Sequence, residues 1–164
     1  MDTGAYLMVK INIVAVGKVK EKYFQQGIDE YCKRLSRYAK VTITELKEKN
    51  VTNEPNSAEI QEILKREGEE IKKELKGHVV AMAIEGKKLS SEGLASFIEK
   101  AKNLRGEITF IIGGSYGIDE SVKSMADDRL SVSDMTFPHT LLRLMLTEQI
   151  YRAFTILEDG KYHK

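Results

Sequence analysis

Short β-branched runs alternate with stretches of helical periodicity along the chain. The first run, Val9 to Val16, ends at Gly17 and predicts a buried strand followed by a turn. From Lys20 to Tyr38 the apolar residues instead recur at three- and four-residue steps, which is typical of an amphipathic helix. Further strand-like runs, two of them continuing into loops, lie within 41–46, 78–87, 107–117 and 129–133. This alternation predicts an α/β fold, with a parallel-dominated open sheet of about five strands and helices on both faces.

Glycine and proline mark the ends of two later helical stretches. Gly77 is a predicted C-cap, and Pro138 suits the first turn of the longest helix. The predicted helices after the first one run from Ser57 to Gly77, over 90–104, over 121–128, and from about Pro138 to Leu157.

The 164 residues lie near the commonest domain size, and no linker or internal repeat interrupts the pattern. We therefore expect one domain over residues 8–164. Residues 1–7 precede a second methionine, Met8, which stands just before the first strand. We expect these seven residues to be a leader or an alternative start outside the fold.

Composition excludes several classes of protein. Twenty-six Lys and Arg against 25 Asp and Glu give a formal net charge of +1, so neither a polybasic nor an acidic tail is present. The single cysteine, Cys32, excludes an intramolecular disulfide framework, and the spacing of His78, His139 and His163 gives no Cys/His zinc motif. No apolar run reaches the roughly 18 residues that a membrane-spanning helix needs. We expect a cytoplasmic protein without a metal site.

Four unusual loops are predicted at the carboxyl ends of the strands, where open α/β sheets bind ligands. They are AVGK at 15–18, IEGK at 84–87, GGSYG at 113–117 and SDMTFPH at 133–139. The glycines of GGSYG allow a backbone N–H to approach a ligand, although a plain tight turn explains them equally well. Because neither GxGxxG nor a complete P-loop is present, a nucleotide triphosphatase is disfavoured. A dinucleotide- or flavin-binding enzyme is a weaker alternative.

Two pairs of polar residues, each four positions apart, lie in the longest helix. His139 and Arg143 share a face beside the helix N-terminus, where an anion or a nucleobase carbonyl is favoured. Glu148 and Arg152 on their own fit a surface ion pair. The rest of the helix is apolar nearly all round, which predicts burial on more than one side and hence a homodimer packed on it. In such a helix these polar residues need partners or a ligand.

Two weaker signals lie near the ends of the chain. Between Lys18 and Arg37, six basic residues stand against three acidic ones. The tyrosines interleaved among them are Tyr23, Tyr31 and Tyr38. Solvated helix charge explains this excess, yet the segment is also the best candidate for an RNA-facing surface. The C-terminal residues Tyr162, His163 and Lys164 are either a frayed terminus or a functional tail.

Several ordered segments together resemble one known family. They are AVGK with the KEKY that follows it, IEGK, FIIGGSYG, MTFPHTLLRLMLTEQIYRAF and the terminal YHK. From about Met8 to Lys164 the chain resembles the RlmH family of large-subunit ribosomal RNA methyltransferases, small members of the SPOUT, or α/β-knot, class. The resemblance implies a C-terminal trefoil knot, S-adenosylmethionine as methyl donor and a homodimer. It also implies methylation of N3 of a pseudouridine in 23S rRNA, within the assembled 70S ribosome.

The resemblance also assigns site residues. Those expected to bind the cofactor are Met82, Gly113, Val132, Ser133, Asp134, Met135, Thr136 and Phe137. Those expected on the substrate side, as catalytic residues, are His139, Arg143, Glu148, Arg152, Tyr162 and His163, with Lys164 beside them. In knotted dimers the tail of one subunit can reach the pocket of the other.

Methyl transfer to an imide nitrogen requires alignment of N3 with the methyl carbon and removal of the N3 proton. Arg143 or Arg152 suits stabilisation of the developing charge, and His139, Glu148 or His163 suits the proton acceptor. The near-neutral net charge favours recognition of the assembled ribosome by shape over binding of naked RNA by its phosphates alone. A ribosome-binding factor without transferase activity is the second alternative.

Overall fold

Strands and helices alternate through the computed structural model, which describes residues 8–49, 53–158 and 162. The strands are β1 Val9–Val16, β2 Ala39–Leu46, β3 His78–Lys88, β4 Glu107–Ile112 and β5 Asp128–Ser131. The helices are α1 Lys22–Leu35, α2 Ser57–Lys72, α3 Ser91–Arg105, α4 Glu120–Met125 and α5 His139–Leu157. The predicted leader at residues 1–7 and the tail residues His163 and Lys164 lie outside the described residues, and the extent of the domain stays a prediction.

The five strands form one sheet in the order β2-β1-β4-β3-β5. Every neighbouring pair is parallel, beginning with Val9 opposite Ala39 at the start of β1 and β2. Between β3 and β5 the register shifts between Met82 and Lys87, near the end of β3. The prediction of a parallel sheet of about five strands is confirmed. Because all five strands run the same way, their carboxyl ends share one edge of the sheet.

Helices cover both faces of the sheet, as predicted. The alternating side chains of β4 show the division, since Phe110 and Ile112 belong to the core beneath α1, α3 and α5, whereas Ile111 belongs to a smaller core on the other face. α2 contributes Ile71 to the smaller core, and α4 contributes Val122. All five side chains are at most 1% exposed. The sheet is therefore enclosed on both faces, which leaves its carboxyl edge for a ligand.

α5 lies between α1 and α3 on the face of the larger core. Gly27 of α1 allows the two helices to approach closely, because a Cβ at Gly27 would lie 2.8 Å from Leu144 Cδ1. On the side of α5 that faces the sheet, Leu146, Ile150 and Phe154 are buried. Helices of the same chain thus cover much of the apolar surface of α5 from which a second subunit is predicted. The homodimer stays a prediction.

The observed element boundaries correct the sequence-based ones in three places. α1 is shorter than the predicted helix from Lys20 to Tyr38, and IEGK lies within β3 instead of a loop. α2 ends at Lys72, so the predicted cap at Gly77 is wrong. Gly77 has φ +65 in the turn before β3, where a Cβ would overlap the carbonyl group of Glu107. A left-handed glycine cap occurs instead at Gly106, after α3. The trefoil knot stays a prediction.

Candidate active site

A cavity of about 740 Å³ lies at the carboxyl edge of the sheet. Its walls come from the ends of β3, β4 and β5, from the segments that follow β4 and β5, and from the first turn of α5. Its volume lies in the range of small-molecule and cofactor sites. Seven of the eight predicted cofactor-binding residues line it: Met82, Gly113, Val132, Ser133, Met135, Thr136 and Phe137. The structure therefore brings these residues together, while their binding role stays a prediction.

The eighth predicted cofactor-binding residue, Asp134, does not line the cavity. Its side chain is 83% exposed, and its carboxylate accepts a hydrogen bond from Lys88 Nζ. Two serine hydroxyls that precede Asp134 shape the segment locally, because Ser131 Oγ donates to the carbonyl oxygen of Ser133 and Ser133 Oγ accepts from the Met135 N–H at 3.0 Å. These bonds hold the segment in a turn that directs Asp134 to solvent.

The turn after β4 needs glycine for two different reasons. Gly117 has φ +93, a conformation that favours glycine, and its N–H donates to the carbonyl oxygen of Gly114 at 3.2 Å. Gly113 has no such backbone angle, but a Cβ there would overlap the carbonyl group of Gly117 and lie 2.8 Å from Ile118 Cγ1. A close approach of backbone to backbone therefore excludes a side chain at Gly113 and places main-chain atoms in the cavity wall.

A buried carboxylate lies behind this turn. Glu67 is 5% exposed, and its Oε2 accepts a hydrogen bond from the Lys49 N–H at 3.0 Å. A Cβ on Gly114 would lie 3.6 Å from Glu67 Oε1. Burial raises the pKa of Glu67 above its ordinary value. Sequence reasoning missed this residue, although it lies four positions from both Ile63 and Ile71 on the apolar face of α2, and that spacing was the available signal.

The first turns of α5 place His139 at the cavity and Arg143 inside the protein. His139 lines the cavity, and its Nε2 lies 3.6 Å from Glu48 Oε1. His139 Nδ1 is buried and has no hydrogen-bond partner among the residues that the structure describes. Arg143 is 1% exposed and donates to the Glu45 carboxylate and, at 3.0 Å, to the carbonyl oxygen of Gly17. Arg143 therefore joins α5 to β1 and β2 and does not line the cavity.

The second polar pair of α5 belongs to a separate group of side chains. Glu148 Oε2 accepts hydrogen bonds from Arg152 and from the Tyr162 hydroxyl, both at 2.7 Å. Glu148 Oε1 accepts from Gln149 Nε2 at 2.8 Å, and Gln149 Oε1 in turn accepts from Ser91 Oγ at 2.7 Å. We call these five residues the Glu148 cluster. Because the cluster links α5, α3 and the tail, Glu148 and Arg152 are more than the surface ion pair that their spacing suggests.

Tyr162 packs closely within its own chain. Its hydroxyl lies 3.2 Å from that of Tyr31, and Arg152 Cζ lies 4.8 Å from the centre of its ring. Burial and the hydrogen bonds to Tyr31 and Glu148 raise the pKa of Tyr162, and the bond to Glu148 raises the pKa of Arg152. Tyr162 is therefore protonated and Arg152 cationic at neutral pH. Tyr162 is therefore held by side chains of its own chain, and a function for the tail stays a prediction.

The cavity and the Glu148 cluster occupy different parts of α5. His139 and Glu148 are about 14 Å apart along the helix axis, and His139 and Arg152 are about 20 Å apart. Neither Glu148 nor Arg152 nor Tyr162 lines the cavity. Of the predicted substrate-side residues that the structure describes, a single chain therefore brings only His139 to the predicted cofactor site.

Sequence reasoning missed the partners of these residues more often than the residues themselves. Glu45 and Glu48 stand at the carboxyl end of β2, which is the edge of the sheet that carries the cavity. Their position at the end of a predicted strand could therefore have indicated both residues. Tyr31 and Ser91 lie on other helices, far from Tyr162 and Gln149 in sequence. No local spacing could have indicated those two contacts.

The described residues offer neither a metal-binding group nor an activated thiol. Within residues 8–49, 53–158 and 162, no group of three or more His, Cys, Asp and Glu side chains is arranged to hold a metal ion. Burial raises the pKa of the Cys32 thiol to about 11, which disfavours its thiolate at neutral pH. In the same part of the chain, no helix has both the length and the apolar character needed to cross a membrane.

Comparison with known proteins extends over almost the whole chain. Residues 9–163 match the family model of predicted SPOUT methyltransferases. The chain is 48% identical to ribosomal RNA large subunit methyltransferase H of Acetivibrio thermocellus and 45% identical to that of Bacillus pumilus, in each case over 95% of this chain and 100% of the relative. A probable methylase family protein from Haemophilus influenzae Rd KW20 shares the fold, with a TM-score of 0.55 at 11% identity over 96% of this chain and 72% of that one. The length of these matches and the identity to the curated relatives show that the chain belongs to the RlmH family of SPOUT methyltransferases.

Proposed function

We propose that this protein transfers the methyl group of S-adenosylmethionine to N3 of a pseudouridine in 23S rRNA, within the assembled 70S ribosome in the cytoplasm. The observation that carries the proposal is the cavity, because seven residues that the family resemblance assigns to the donor line one cavity at the carboxyl edge of the sheet. The curated relatives, whose names describe methyltransferases of large-subunit ribosomal RNA, support the class of substrate.

The lining of the cavity suits this donor. The side chains of Met82, Ile112, Leu130 and Phe137 offer apolar surface for the adenine base, and the turn from Gly113 to Gly117 offers main-chain polar groups. Because a Cβ at Gly113 would overlap the turn, the main chain stays open to a ligand there. S-adenosylmethionine, when bound, supplies an electrophilic methyl carbon, and its chemistry requires no metal.

A second copy of the chain completes the site in this proposal. Methyl transfer requires the reacting atoms to lie about 3–3.5 Å apart, whereas Leu142, the last α5 residue on the cavity wall, and Glu148 are about 9 Å apart along the helix axis. A homodimer in which the cluster and tail of one subunit face the cavity of the other removes this separation. The homodimer and the trefoil knot are both part of the proposal, and the family resemblance supports them.

The residues of the Glu148 cluster have distinct roles in this proposal. The Glu148 carboxylate accepts three hydrogen bonds, so its role is to orient Arg152 and Tyr162 and not to accept the substrate proton. The side chain of Arg152 is 25% exposed, and its cation suits stabilisation of the charge that develops on the uracil oxygens.

Arg143 and His139, near the start of α5, also have different roles in this proposal. Arg143 is a positioning residue, because its guanidinium is buried against Glu45 and Gly17. His139 lines the cavity with a buried Nδ1 that has no partner in the described part of the chain, and it is a candidate proton acceptor. His163 of the tail is the other candidate.

The test is incubation of the purified protein with labelled S-adenosylmethionine and 70S ribosomes that lack the modification. We expect label at N3 of a pseudouridine in 23S rRNA. Deletion of residues 162–164 should depress incorporation and leave donor affinity unchanged. Donor binding without any incorporation would contradict the proposed substrate and favour the alternative of a ribosome-binding factor.

A further inference from the structure

The basic segment from Lys18 to Arg37 divides into two parts in the structure. In its second half, the rings of Tyr31 and Tyr38 pack on α5, with centroid distances of 5.9 Å to Tyr151 and 5.7 Å to Phe154. The rings of these two tyrosines therefore already contact aromatic rings of the same chain. In the first half, by contrast, Tyr23 is 66% exposed and offers an open aromatic face. The ring packs in an edge arrangement with Phe24, at a centroid distance of 4.6 Å, and the rest of it faces solvent.

Three lysines immediately before Tyr23 are also exposed, and they are Lys18, Lys20 and Lys22. None of them forms an ion pair with any residue that the structure describes. The acidic residue among them, Glu21, is turned inward, and its Oε1 is buried. The segment therefore presents three positive charges and one aromatic ring to solvent over six residues.

This segment adjoins the wall of the cavity. Gly17, the residue before it, has φ +96, and a Cβ there would lie 3.3 Å from Cε1 of His139. The carbonyl oxygen of Gly17 accepts a hydrogen bond from the buried Arg143, which fixes the start of the segment to α5. A polynucleotide that presents one base at the cavity therefore has its neighbouring nucleotides within reach of the lysines and of Tyr23.

We propose that Lys18, Lys20, Lys22 and Tyr23 form an RNA-docking surface for the nucleotides that flank the target base. The lysines contact phosphates, and the ring of Tyr23 stacks on an unpaired flanking base. Exposed cations interleaved with an aromatic ring are the combination that recognises single-stranded loops of RNA. This surface rests on the proposed function, because it requires an RNA substrate.

The charge of the surface is tested with a triple variant, K18Q/K20Q/K22Q, and co-sedimentation with 70S ribosomes at increasing KCl. We expect binding about tenfold weaker near physiological salt, and a log–log salt slope that falls in magnitude by about 2, because three phosphate contacts are lost. The matched control is K10Q/K40Q/K76Q, which removes three exposed lysines from the opposite, amino-terminal edge of the sheet. The control should bind as the wild type does.

The aromatic contact is tested with Tyr23→Leu and Tyr23→Phe. Loss of one stacked base should weaken ribosome binding by about tenfold in the leucine variant, and phenylalanine should restore it because stacking needs only the ring. Donor affinity, measured by calorimetry, should be the same in all variants. Equal binding by the leucine and phenylalanine variants would overturn the stacking assignment.

Two further outcomes would overturn the docking surface. Equal loss of binding in the two triple variants would show that only total charge matters. A change in the oligomeric mass of Tyr23→Leu, measured by light scattering, would show that the ring contacts a second copy of this chain. Ribosome binding by the wild type without methyl transfer would instead contradict the proposed function, and the comparison of binding variants would still decide the docking surface.

Discussion

The sites at the two ends of α5 differ in the parts of the polypeptide that form them. Around His139 the cavity wall combines apolar side chains with the main chain of the glycine turn, and its shape depends on Gly113 and on the buried pair of Arg143 with Glu45. Around Glu148 the site consists of side chains joined by hydrogen bonds. The shape of the first site is lost when a side chain is added at a glycine or when a buried charge loses its partner. The second site loses its chemistry when one of its functional groups is removed. Donor binding and turnover should therefore respond to different substitutions.

The largest effect should come from the ion pair beneath the cavity. Glu45→Ala leaves the Arg143 guanidinium buried without its anion, and we expect the free energy of unfolding to fall by about 3–5 kcal/mol. Arg143→Met removes the buried charge itself and leaves Glu45, which is 35% exposed, able to meet water. It should cost less than Glu45→Ala. Urea unfolding of both variants measures the difference, and equal losses would contradict the asymmetry.

Gly113→Val should separate donor binding from the rest of the molecule. The added side chain overlaps the turn at Gly117, so we expect the affinity for S-adenosylmethionine to fall by at least about 100-fold. Gly106→Ala is the matched control, because it also strains a glycine, with φ +69, but meets no atom within 4 Å. It should lose about 1 kcal/mol of stability and bind the donor normally. Calorimetric titration with the donor distinguishes them, and unchanged affinity in Gly113→Val would remove the cavity assignment.

Arg152→Ala should lower turnover without lowering donor affinity, in contrast to Gly113→Val. We expect turnover to fall by about 100-fold, because the proposed mechanism uses this cation to stabilise the developing negative charge. Donor affinity should be unchanged, and the loss of stability should be less than about 1 kcal/mol. Arg152→Lys, which keeps the charge, should recover part of the turnover. Losses of activity and stability in equal proportion would identify the Glu148 pair as purely structural.

The smallest effect concerns the carboxylate behind the glycine turn. Because burial raises the pKa of Glu67 in the folded state, its ionisation destabilises the fold as the pH rises through that raised pKa. Below the ordinary value of 4.5 the acid is protonated in both states, and the penalty disappears. Glu67→Gln retains an oxygen that can accept from Lys49, so it should be more stable than the wild type near pH 7 by less than about 1 kcal/mol. Unfolding curves at pH 4 and pH 7 should show this advantage only at the higher pH.

The order of the elements and the edge that carries the cavity were both predictable from the sequence. β-Branched runs and helical periodicity fix the alternation, and parallel strands place their carboxyl ends together. The glycine turn and the segment from Val132 to Phe137 follow strands in that pattern, so their position at one edge follows as well. Gly77 was assigned wrongly, because a glycine that ends a helix and one that permits a close strand approach have the same local sequence.

The contacts that decide the role of each polar residue were not predictable. Arg143 resembles a ligand-binding cation in sequence, yet its partner Glu45 lies 98 positions away. Asp134 stands within the predicted cofactor-binding segment but is held at the surface by a bond to Lys88. Tyr23 and Tyr31 both belong to the periodic pattern of α1, and the packing of α5 distinguishes the exposed ring from the half-buried one.

The bonds of Arg143 also bear on how the protein folds. They join α5 to Glu45 across 98 residues and to Gly17 across 126, so they are among the long-range contacts of the chain. Contacts of such sequence separation form slowly, because a long loop must close before they contribute. An intermediate in which the sheet has formed but α5 has not docked would have no cavity wall at His139. Recovery of donor binding during refolding should therefore lag behind recovery of secondary structure.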